Sequence, residues 1–341
     1  MTTQDYFDRY LPALEAEMQA VVAAFAPCLR DLYGMLRYHL GWEDRDFRPI
    51  TGPQPTGKRL RPVFCLLCCE ACGGDWERAL PAAAAVELVH NFSLIHDDIE
   101  DGDSTRRGRP TVWSVWGVPQ ALNAGDTLFT LAHLALFRLT DRGMPPETVL
   151  SALQILLTAC LRLTEGQFLD LRFEGQEEVS VEDYLFMIAR KTAELLSAAC
   201  ELGALMAGAP ADVRERLRTF GHHVGIAFQI QDDILGIWGD PAVTGKPVGS
   251  DLRRGKKTFP VLYALSRQPA LRHLLPNVAC SSDDLQAAMA LINRSGAQEA
   301  ARERVLEEAS RAARALQEAG LSGPAADALA TLAHQLAFRD R

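Results

Sequence analysis

The feature that most constrains the fold of this chain is the spacing of its apolar residues. Apolar positions recur at i, i+3, i+4 and i+7 from residue 2 almost to the C-terminus, whereas alternation at period two is nearly absent. The first spacing places side chains on one face of an α-helix, and the second is needed for half-buried strands. The sequence therefore predicts an all-α protein.

The predicted helices are separated by glycine and proline, which favour turns. Segments 78–97, 118–138 and 151–163 are apolar on most sides, which is typical of helices buried inside a bundle. The C-terminal segment is amphipathic and rich in Ala, Glu and Arg, and it predicts a peripheral helical pair. The predicted helices cover about residues 3–40 with a break at Pro27, 57–73, 78–101, 118–140, 146–175, 181–208, 210–237, 256–267, 283–294, 297–319 and 322–338.

Composition and charge bound the number of domains and the class of partner. Of the 341 residues, 48% are hydrophobic and 23% charged, so we expect one large all-helical domain over residues 1–341. The net charge of −9 argues against a nucleic-acid partner. The N-terminus has the features of neither a signal nor a transit peptide, and no apolar run reaches the roughly 20 residues of a membrane span. We expect a soluble, cytoplasmic protein without a transmembrane segment.

Four of the eight cysteines, Cys65, Cys68, Cys69 and Cys72, form overlapping CxxC pairs, a spacing that zinc sites use. They lie in the apolar stretch RPVFCLLCCEACGG, whose spacing is that of a buried helix, and no second ligand group follows at the distance of a zinc finger. We interpret them as thiols of a helix core in a reducing compartment.

Two aspartate clusters end apolar helices. The first, in HDDIEDGDSTRRGRPT, comprises Asp97, Asp98 and Asp101, and the second, in FQIQDDILGIWGD, comprises Asp232 and Asp233. Positions i and i+4 share a helix face, and carboxylate oxygens are the ligands that Mg²⁺ prefers. Adjacent carboxylates in apolar surroundings repel each other unless a cation neutralises them. The clusters predict a shared magnesium site, with helix capping or solvation as the alternative for each.

Basic residues flank both clusters. Mg²⁺ usually bridges carboxylates to phosphate oxygens, so a phosphate-bearing substrate would need such cationic partners. In an acidic protein we interpret these residues as diphosphate-binding rather than as solvated surface charge. They are Lys58, Arg59, Arg61, Arg106, Arg107, Arg109, Lys246, Arg253, Arg254, Lys256 and Lys257.

Together these residues resemble the trans-prenyltransferases, the polyprenyl synthetase family of all-helical isoprenoid diphosphate synthases. The resemblance covers most of the chain in the family's order and spacing, and is therefore far more specific than one DDxxD motif. It implies a single large helical bundle of the isoprenoid synthase type with a central cavity, and a homodimer. The motifs are GKRLRP at 57–62, ELVHNFSLIHDDIED at 87–101, RRGRPT at 106–111, GD at 125–126, GQFLDL at 166–171, KTAEL at 191–195, FQIQDD at 228–233 and GKKTFP at 255–260.

The resemblance also implies roles for single residues. Both aspartate clusters would bind three Mg²⁺ ions with the allylic diphosphate, and Gln167 and Asp170 would support the first cluster. Isopentenyl diphosphate would be bound by Lys58, Arg61, His90 and Arg107, and bordered by Phe228. The allylic diphosphate would be bound by Arg106, Lys191, Lys246 and Lys256. The catalytic residues would be Lys191, Thr192 and Gln229, the last two placing oxygens near the allylic cation.

The implied reaction joins isopentenyl diphosphate to an allylic diphosphate (dimethylallyl, geranyl or farnesyl) by metal-assisted ionisation, condensation and proton loss. One position departs from the family pattern, because Gly236 stands where many relatives have a third aspartate in the second cluster. Asp240 would compensate only if the helix extended that far, and Gly239-Asp240-Pro241 predicts a helix end.

Product length is expected to depend on Phe92 and Ser93, which precede Asp97 by about one helical turn and face the same way. An aromatic residue followed by a small one resembles the enzymes that make the C20 product, geranylgeranyl diphosphate. C15 and C25 products remain alternatives, as does ordinary core packing for Phe92. A class I terpene cyclase and a non-catalytic synthase subunit are the competing functions. The basic GKRLRP motif argues against the first, and the presence of both aspartate clusters argues against the second.

Overall fold

The computed structural model describes residues 2–23, 26–52, 56–240 and 248–339, and they are helical in most of their length. Among the described residues, the one sheet is a hairpin of two-residue antiparallel strands, β1 and β2. The helices and strands are α1 (Thr3–Val21), α2 (Arg30–Leu40), α3 (Leu60–Ala71), α4 (Leu80–Glu100), β1 (Thr105–Arg106), β2 (Arg109–Pro110), α5 (Val112–Trp116), α6 (Val118–Phe137), α7 (Pro146–Glu174), α8 (Val181–Ile188), a π-helical turn (Ala189–Ala193), α9 (Glu194–Met206), α10 (Ala211–Trp238), α11 (Ser250–Arg253), α12 (Phe259–Arg267), α13 (Leu271–Leu274), α14 (Ser282–Arg294), α15 (Ala297–Glu318) and α16 (Pro324–Ala337), with 3₁₀ turns at Pro27–Leu29, Trp76–Ala79 and Leu275–Asn277.

The prediction of an all-α fold is confirmed, and each long predicted helix is present. Three short helices, α5, α11 and α13, were not predicted, because four or five residues are too few to establish an apolar period. The segment 181–208 was predicted as one helix, but the π-helical turn divides it.

The residues form two compact units. Unit 1 comprises Met1–Leu157, Ala199–Arg214 and Ser322–Ala328, and unit 2 comprises Thr158–Ala198, Glu215–Leu321 and Leu329–Arg341. The expectation that residues 1–341 fold as one domain stays a prediction.

Helix α4 is the central element of unit 1 and carries the first aspartate cluster at its C-terminal end. Proline in its first turn suits a helix start, and its alanine-rich first half is fully buried. Small side chains let α4 pack against α1, α3 and α6. The thiols of Cys65, Cys68 and Cys69 are buried on α3, as interpreted from the sequence.

Helix α10 carries the second aspartate cluster in unit 2. Its apolar face joins a buried core with α8, α12 and α15, in which Tyr184, Ile230, Ile234 and Phe259 take part. The helix ends at Trp238, so Asp240 lies beyond it, as the Gly-Asp-Pro sequence predicts.

Helix α7 qualifies the expectation about membrane segments. It is the one helix of the described residues that is long and apolar enough to cross a membrane, although buried core helices meet the same criterion. Polar residues interrupt its apolar run, and Arg162 donates a hydrogen bond to Glu194 at 2.6 Å. We therefore treat α7 as a partly exposed helix of the bundle rather than as a membrane span.

Candidate active site

The β1–β2 hairpin positions the arginines that follow the first aspartate cluster. Its two turn residues, Arg107 and Gly108, both have positive φ (52° and 75°), the conformation that two-residue hairpin turns favour. This geometry places Arg106 so that its Nε donates to Asp98 Oδ1 at 2.6 Å. The sequence predicts basic residues after the first cluster, but it does not predict the hairpin that positions them.

Asp98 is buried, with 1% of its surface exposed. Burial raises the pKa of its carboxyl to about 6, against the lowering effect of Arg106. Its second oxygen, Oδ2, is buried without a hydrogen-bond partner in the described residues. Asp97 and Asp101 flank it and are partly exposed. A buried carboxylate oxygen without a donor is a site at which a cation would be stabilised.

The residues predicted to bind isopentenyl diphosphate lie in unit 1 with different exposures. Arg61 Nη1 lies 3.4 Å from His90 Nε2, and burial together with the nearby arginines lowers the pKa of His90, so this imidazole is neutral. Arg107 donates to the carbonyl oxygen of Thr56 at 2.7 Å, next to Gly57, where a Cβ would collide with its guanidinium. Lys58 is exposed.

Two other basic residues of unit 1 are occupied by structural contacts. Arg59 is buried, adopts a positive φ of 48°, and forms ion pairs with Glu87 (2.7 Å) and Glu15 (2.9 Å). Arg109 donates to the carbonyl oxygens of Tyr38 and Glu43. The interpretation of every flanking basic residue as diphosphate-binding was therefore too broad, because burial and local acceptors account for these two.

Phe92 belongs to an aromatic cluster in unit 1. Its ring centroid lies 5.0 Å from that of Phe129 and 4.9 Å from that of His96, and Phe129 lies 4.5 Å from His133. Ser93 is buried, and its hydroxyl donates to the carbonyl oxygen of His90. The His96 ring lies so close to Gly125 that a Cβ there would be 2.3 Å from Nε2, which explains the glycine of the GD motif.

Lys191 and Thr192 lie on the π-helical turn of unit 2, a feature that often marks functional sites. Two glycines allow the turn to pack closely: a Cβ on Gly166 would lie 2.3 Å from the Lys191 nitrogen, and one on Gly225 would lie 2.5 Å from Ala193 Cα. Nothing in the apolar spacing signals this turn, but the glycine of GQFLDL, Gly166, leaves the space that it occupies.

The side chains of the turn reach polar partners within unit 2. Lys191 forms an ion pair with Asp170. The Thr192 hydroxyl donates to Gln229 Oε1 at 2.9 Å, and Gln229 Nε2 donates to Asp233 Oδ1 at 3.1 Å. The structure thus brings Lys191, Thr192 and Gln229, predicted as the catalytic residues, into the neighbourhood of the second aspartate cluster.

Asp233 is buried among neutral donors. The hydroxyl of Tyr184 donates to its Oδ2 at 2.5 Å, and the backbone N–H of Phe259 donates to the same atom at 3.2 Å. Burial raises the pKa of Asp233 to about 7, although these hydrogen bonds act in the opposite direction. Tyr184 was not singled out from the sequence, because it contacts Asp233 only through the tertiary fold.

Asp232 is partly exposed and forms an ion pair with Arg339 near the C-terminus. The same guanidinium lies over the ring of Phe228, 4.1 Å from its centroid. Arg339 was also not singled out, since it lies over 100 residues beyond the cluster in the chain.

A cavity of about 430 Å³ in unit 2 unites these groups. Lys256 and Lys257 both line it. The ammonium group of Lys257 also donates to the carbonyl oxygen of Phe173 at 2.6 Å. Lys246 lies outside the described residues. The cavity is lined by Asp170, Glu174, Tyr184, Lys191, Thr192, Gln229, Asp232, Asp233, Gly236, Asp251, Lys256, Lys257 and Thr258, together with apolar side chains.

The donor sets fit a divalent cation that is shared with phosphate. Within the described ranges, no group of three His, Cys, Asp or Glu side chains is arranged to enclose a metal by itself. Mg²⁺ does not need such a cage, because one or two carboxylates and substrate phosphates usually suffice. A nearby cation would provide a partner for Asp98 Oδ2 and would lower the raised pKa of Asp233.

Comparison with known proteins agrees with this geometry. Residues 50–292 match the polyprenyl synthetase family. The chain is 48% identical over 280 residues to a geranylgeranyl diphosphate synthase of Mycobacterium tuberculosis, covering 80% of this chain and 78% of the relative. It is 45% identical to a geranylfarnesyl diphosphate synthase of Aeropyrum pernix, covering 71% and 77%.

A solved structure extends the similarity to the fold. The crystal structure of a polyprenyl synthetase from Streptomyces coelicolor superposes with a TM-score of 0.88 at 36% identity, covering 98% of this chain and all of that one. The all-α fold is thus of the isoprenoid synthase type. The chain belongs to the polyprenyl synthetase family, and it is a prenyltransferase related to the short-chain prenyl diphosphate synthases.

Proposed function

We propose that the protein condenses isopentenyl diphosphate with an allylic diphosphate and releases geranylgeranyl diphosphate, the C20 product. The observation that carries the proposal is the cavity of unit 2, where carboxylates, ammonium groups and neutral polar side chains, Thr192 and Gln229 among them, face one space. Similar residue types at the end of α4, with the arginines of the hairpin, supply a second set of acids and cations.

Mg²⁺ ions, three by analogy with the family, would be held by Asp97, Asp98 and Asp101 and by Asp232 and Asp233. When bound, such ions neutralise the diphosphate that departs from the allylic carbon. The proposed assignment is supported by the burial of Asp98 and Asp233, since their ionised forms need a nearby cation.

The side chains of the protein would perform the remaining tasks. Lys191 and Lys256 orient the allylic diphosphate and add positive charge as the C–O bond ionises. Thr192 and Gln229 lie next to each other, and their oxygens stabilise the allylic cation that forms. Arg61, Arg107, Lys58 and the neutral His90 bind isopentenyl diphosphate, whose double bond attacks that cation. The released diphosphate accepts the proton that is then lost.

Product length would be limited by the aromatic cluster of Phe92, Phe129 and His133. A growing isoprenoid tail is apolar, so bulky aromatic side chains below the aspartates would close its path. Ser93 is small, occupies little volume beside Phe92, and would not block a C15 tail.

Exposed apolar side chains support a homodimer. Four large ones on α6 are at least 41% exposed, namely Val118, Leu122, Leu134 and Phe137. Four more on α7, Leu150, Leu157, Leu161 and Phe168, are 49–65% exposed. Such surface on a protein that works in the cytoplasm, as we propose for this one, is stabilised by a partner. Sedimentation equilibrium should give twice the monomer mass.

The test of the function is a product assay with Mg²⁺, isopentenyl diphosphate and, separately, dimethylallyl, geranyl and farnesyl diphosphate. Dephosphorylated products are then sized by chromatography. We expect a linear C20 alcohol from all three primers and a longer product from Phe92→Ala. A C15 or C25 product would refute the assigned length alone, whereas no incorporation of isopentenyl diphosphate would refute the synthase and favour a cyclase or a subunit.

A further inference from the structure

The second aspartate cluster lacks a side chain at its third position, and another segment fills the space. Gly236 follows Asp232 by four residues and therefore shares its face of α10. A Cβ on Gly236 would lie only 1.9 Å from Oδ2 of Asp251. The Asp251 carboxylate thus occupies the place in which a side chain of residue 236 would begin.

Hydrogen bonds fix this arrangement. The backbone N–H of Gly249 donates to the carbonyl oxygen of Ile237 at 3.1 Å, and the Ser250 hydroxyl donates to that of Gly236 at 3.2 Å. The backbone N–H of Lys256 donates to the carbonyl oxygen of Asp251 at 3.0 Å. Asp251 is therefore held against the last turns of α10 by its neighbours in sequence.

The surroundings of Asp251 call for a cation. It lines the 430 Å³ cavity with Asp232 and Asp233, so its carboxylate borders the same space as theirs. An independent observation comes from Thr258, which lines the same cavity and is 5% exposed. Its hydroxyl has no hydrogen-bond partner in the described residues and does not cap α12, the helix that follows it. A buried hydroxyl of this kind offers an oxygen to which a water or an ion can bind.

Asp240, the other acid considered from the sequence, does not take this place. It is exposed, lies beyond the end of α10, and lines a different cavity with Trp238 and Arg302. Asp251, which fills the space beside Gly236, therefore lies outside α10, where helical spacing alone could not have located it.

We propose that Asp251 supplies the third carboxylate of the second aspartate cluster and, with the Thr258 hydroxyl, holds the water shell of a divalent cation bound there with diphosphate. The inference rests on the proposed function for the identity of the diphosphate. It concerns binding, however, and is measured without prenyl transfer.

The experiment measures Mn²⁺ binding to the full-length protein in the presence of inorganic pyrophosphate, with free Mn²⁺ quantified by electron paramagnetic resonance. Asp251→Asn should weaken binding by about tenfold, in the range for groups that support metal ligands. The double variant Gly236→Asp/Asp251→Ala, which moves the carboxylate onto α10, should return to within about threefold of wild type. Gly236→Asp alone should bind no more tightly than wild type, because two carboxylates would then repel each other.

Asp283→Asn, which removes an exposed acid from α14, is the matched control and should bind Mn²⁺ as wild type does. Wild-type binding by Asp251→Asn would overturn the proposal, as would a folded double variant that stays tenfold weak. Thermal melting checks folding; loss of folding in both Asp251 variants would also overturn it by assigning Asp251 a structural role. If the wild-type protein binds Mn²⁺ but incorporates no isopentenyl diphosphate, the proposed function fails while this result stands.

Discussion

The two aspartate clusters read alike in sequence but are neutralised in different ways. In unit 1, Asp98 is paired with a charged arginine, Arg106, and its other oxygen has no partner in the described residues. In unit 2, Asp233 accepts hydrogen bonds from Tyr184, Gln229 and a backbone N–H, all neutral. The pKa of the carboxyl is raised in both, to about 6 and about 7.

The difference lies in what opposes burial: Asp98 has an adjacent cation, whereas Asp233 has only neutral donors and also faces the negative charge of Asp251. A full positive charge stabilises the ionised carboxylate more strongly than a hydroxyl or an amide does. Asp233 should therefore depend more on a bound metal ion, and Asp98 more on Arg106.

The largest expected effect comes from removing either negative charge. Asp98→Asn and Asp233→Asn should each lower the rate of prenyl transfer by about 100-fold or more, as losses of transition-state electrostatics do. Steady-state rates at saturating Mg²⁺ measure this, with Asp283→Asn as the control. A rate within threefold of wild type for either variant would remove that cluster from the mechanism.

A smaller effect should separate the two modes of neutralisation. Tyr184→Phe removes a neutral donor from Asp233 and should raise the Mg²⁺ concentration for half-maximal rate by about tenfold, as losses beside metal ligands do. Arg106→Gln should instead raise the KM for the allylic diphosphate, because it removes a cation that we predict to bind this substrate. Equal changes of both parameters in both variants would contradict the comparison.

Arg339 offers a third test, because it forms an ion pair with Asp232. Removing it frees the carboxylate for a cation, so Arg339→Ala should lower the half-maximal Mg²⁺ concentration by about threefold, since a partly exposed pair contributes up to roughly 1 kcal/mol. Titration of the rate with Mg²⁺ measures this, and Arg216→Ala, at an exposed ion pair with Glu318, is the matched control. A raised Mg²⁺ requirement would instead assign Arg339 to substrate binding.

The smallest effect concerns the stability of the metal-free protein. A carboxyl whose pKa is raised on folding ionises first in the unfolded chain, so stability falls as pH rises from its ordinary pKa of 3.8 to the folded value. Asn at the same position does not titrate. The melting temperature of Asp98→Asn relative to wild type should therefore rise with pH and level off near 6, and that of Asp233→Asn near 7.

Melting curves recorded with a chelator test this order. Asn is the suitable replacement because it nearly preserves the volume of the aspartate side chain. The comparison would be contradicted if the melting-temperature difference between variant and wild type levelled off at the same pH for both variants. It would also be contradicted if that difference shrank as pH rises.

The sequence by itself determined the helices, the family and the positions of both aspartate clusters. Apolar periodicity is a local property of the chain. The motifs GKRLRP, DDIED and FQIQDD are likewise visible in the residue types and their spacing along the sequence. Residues predicted as catalytic, Lys191, Thr192 and Gln229, do lie beside the second cluster. Their roles stay predictions until the variants are measured.

Only the tertiary structure decided which side chains neutralise the acids and which basic residues are already occupied. Tyr184, Arg339 and Asp251 contact the second cluster from segments that local spacing cannot connect with it. Arg59 has the same charge as its neighbours in GKRLRP but is buried against Glu87. The physical reason is that hydrogen bonds and ion pairs depend on distance in space, whereas helical periodicity reports only which face of its own helix a residue occupies.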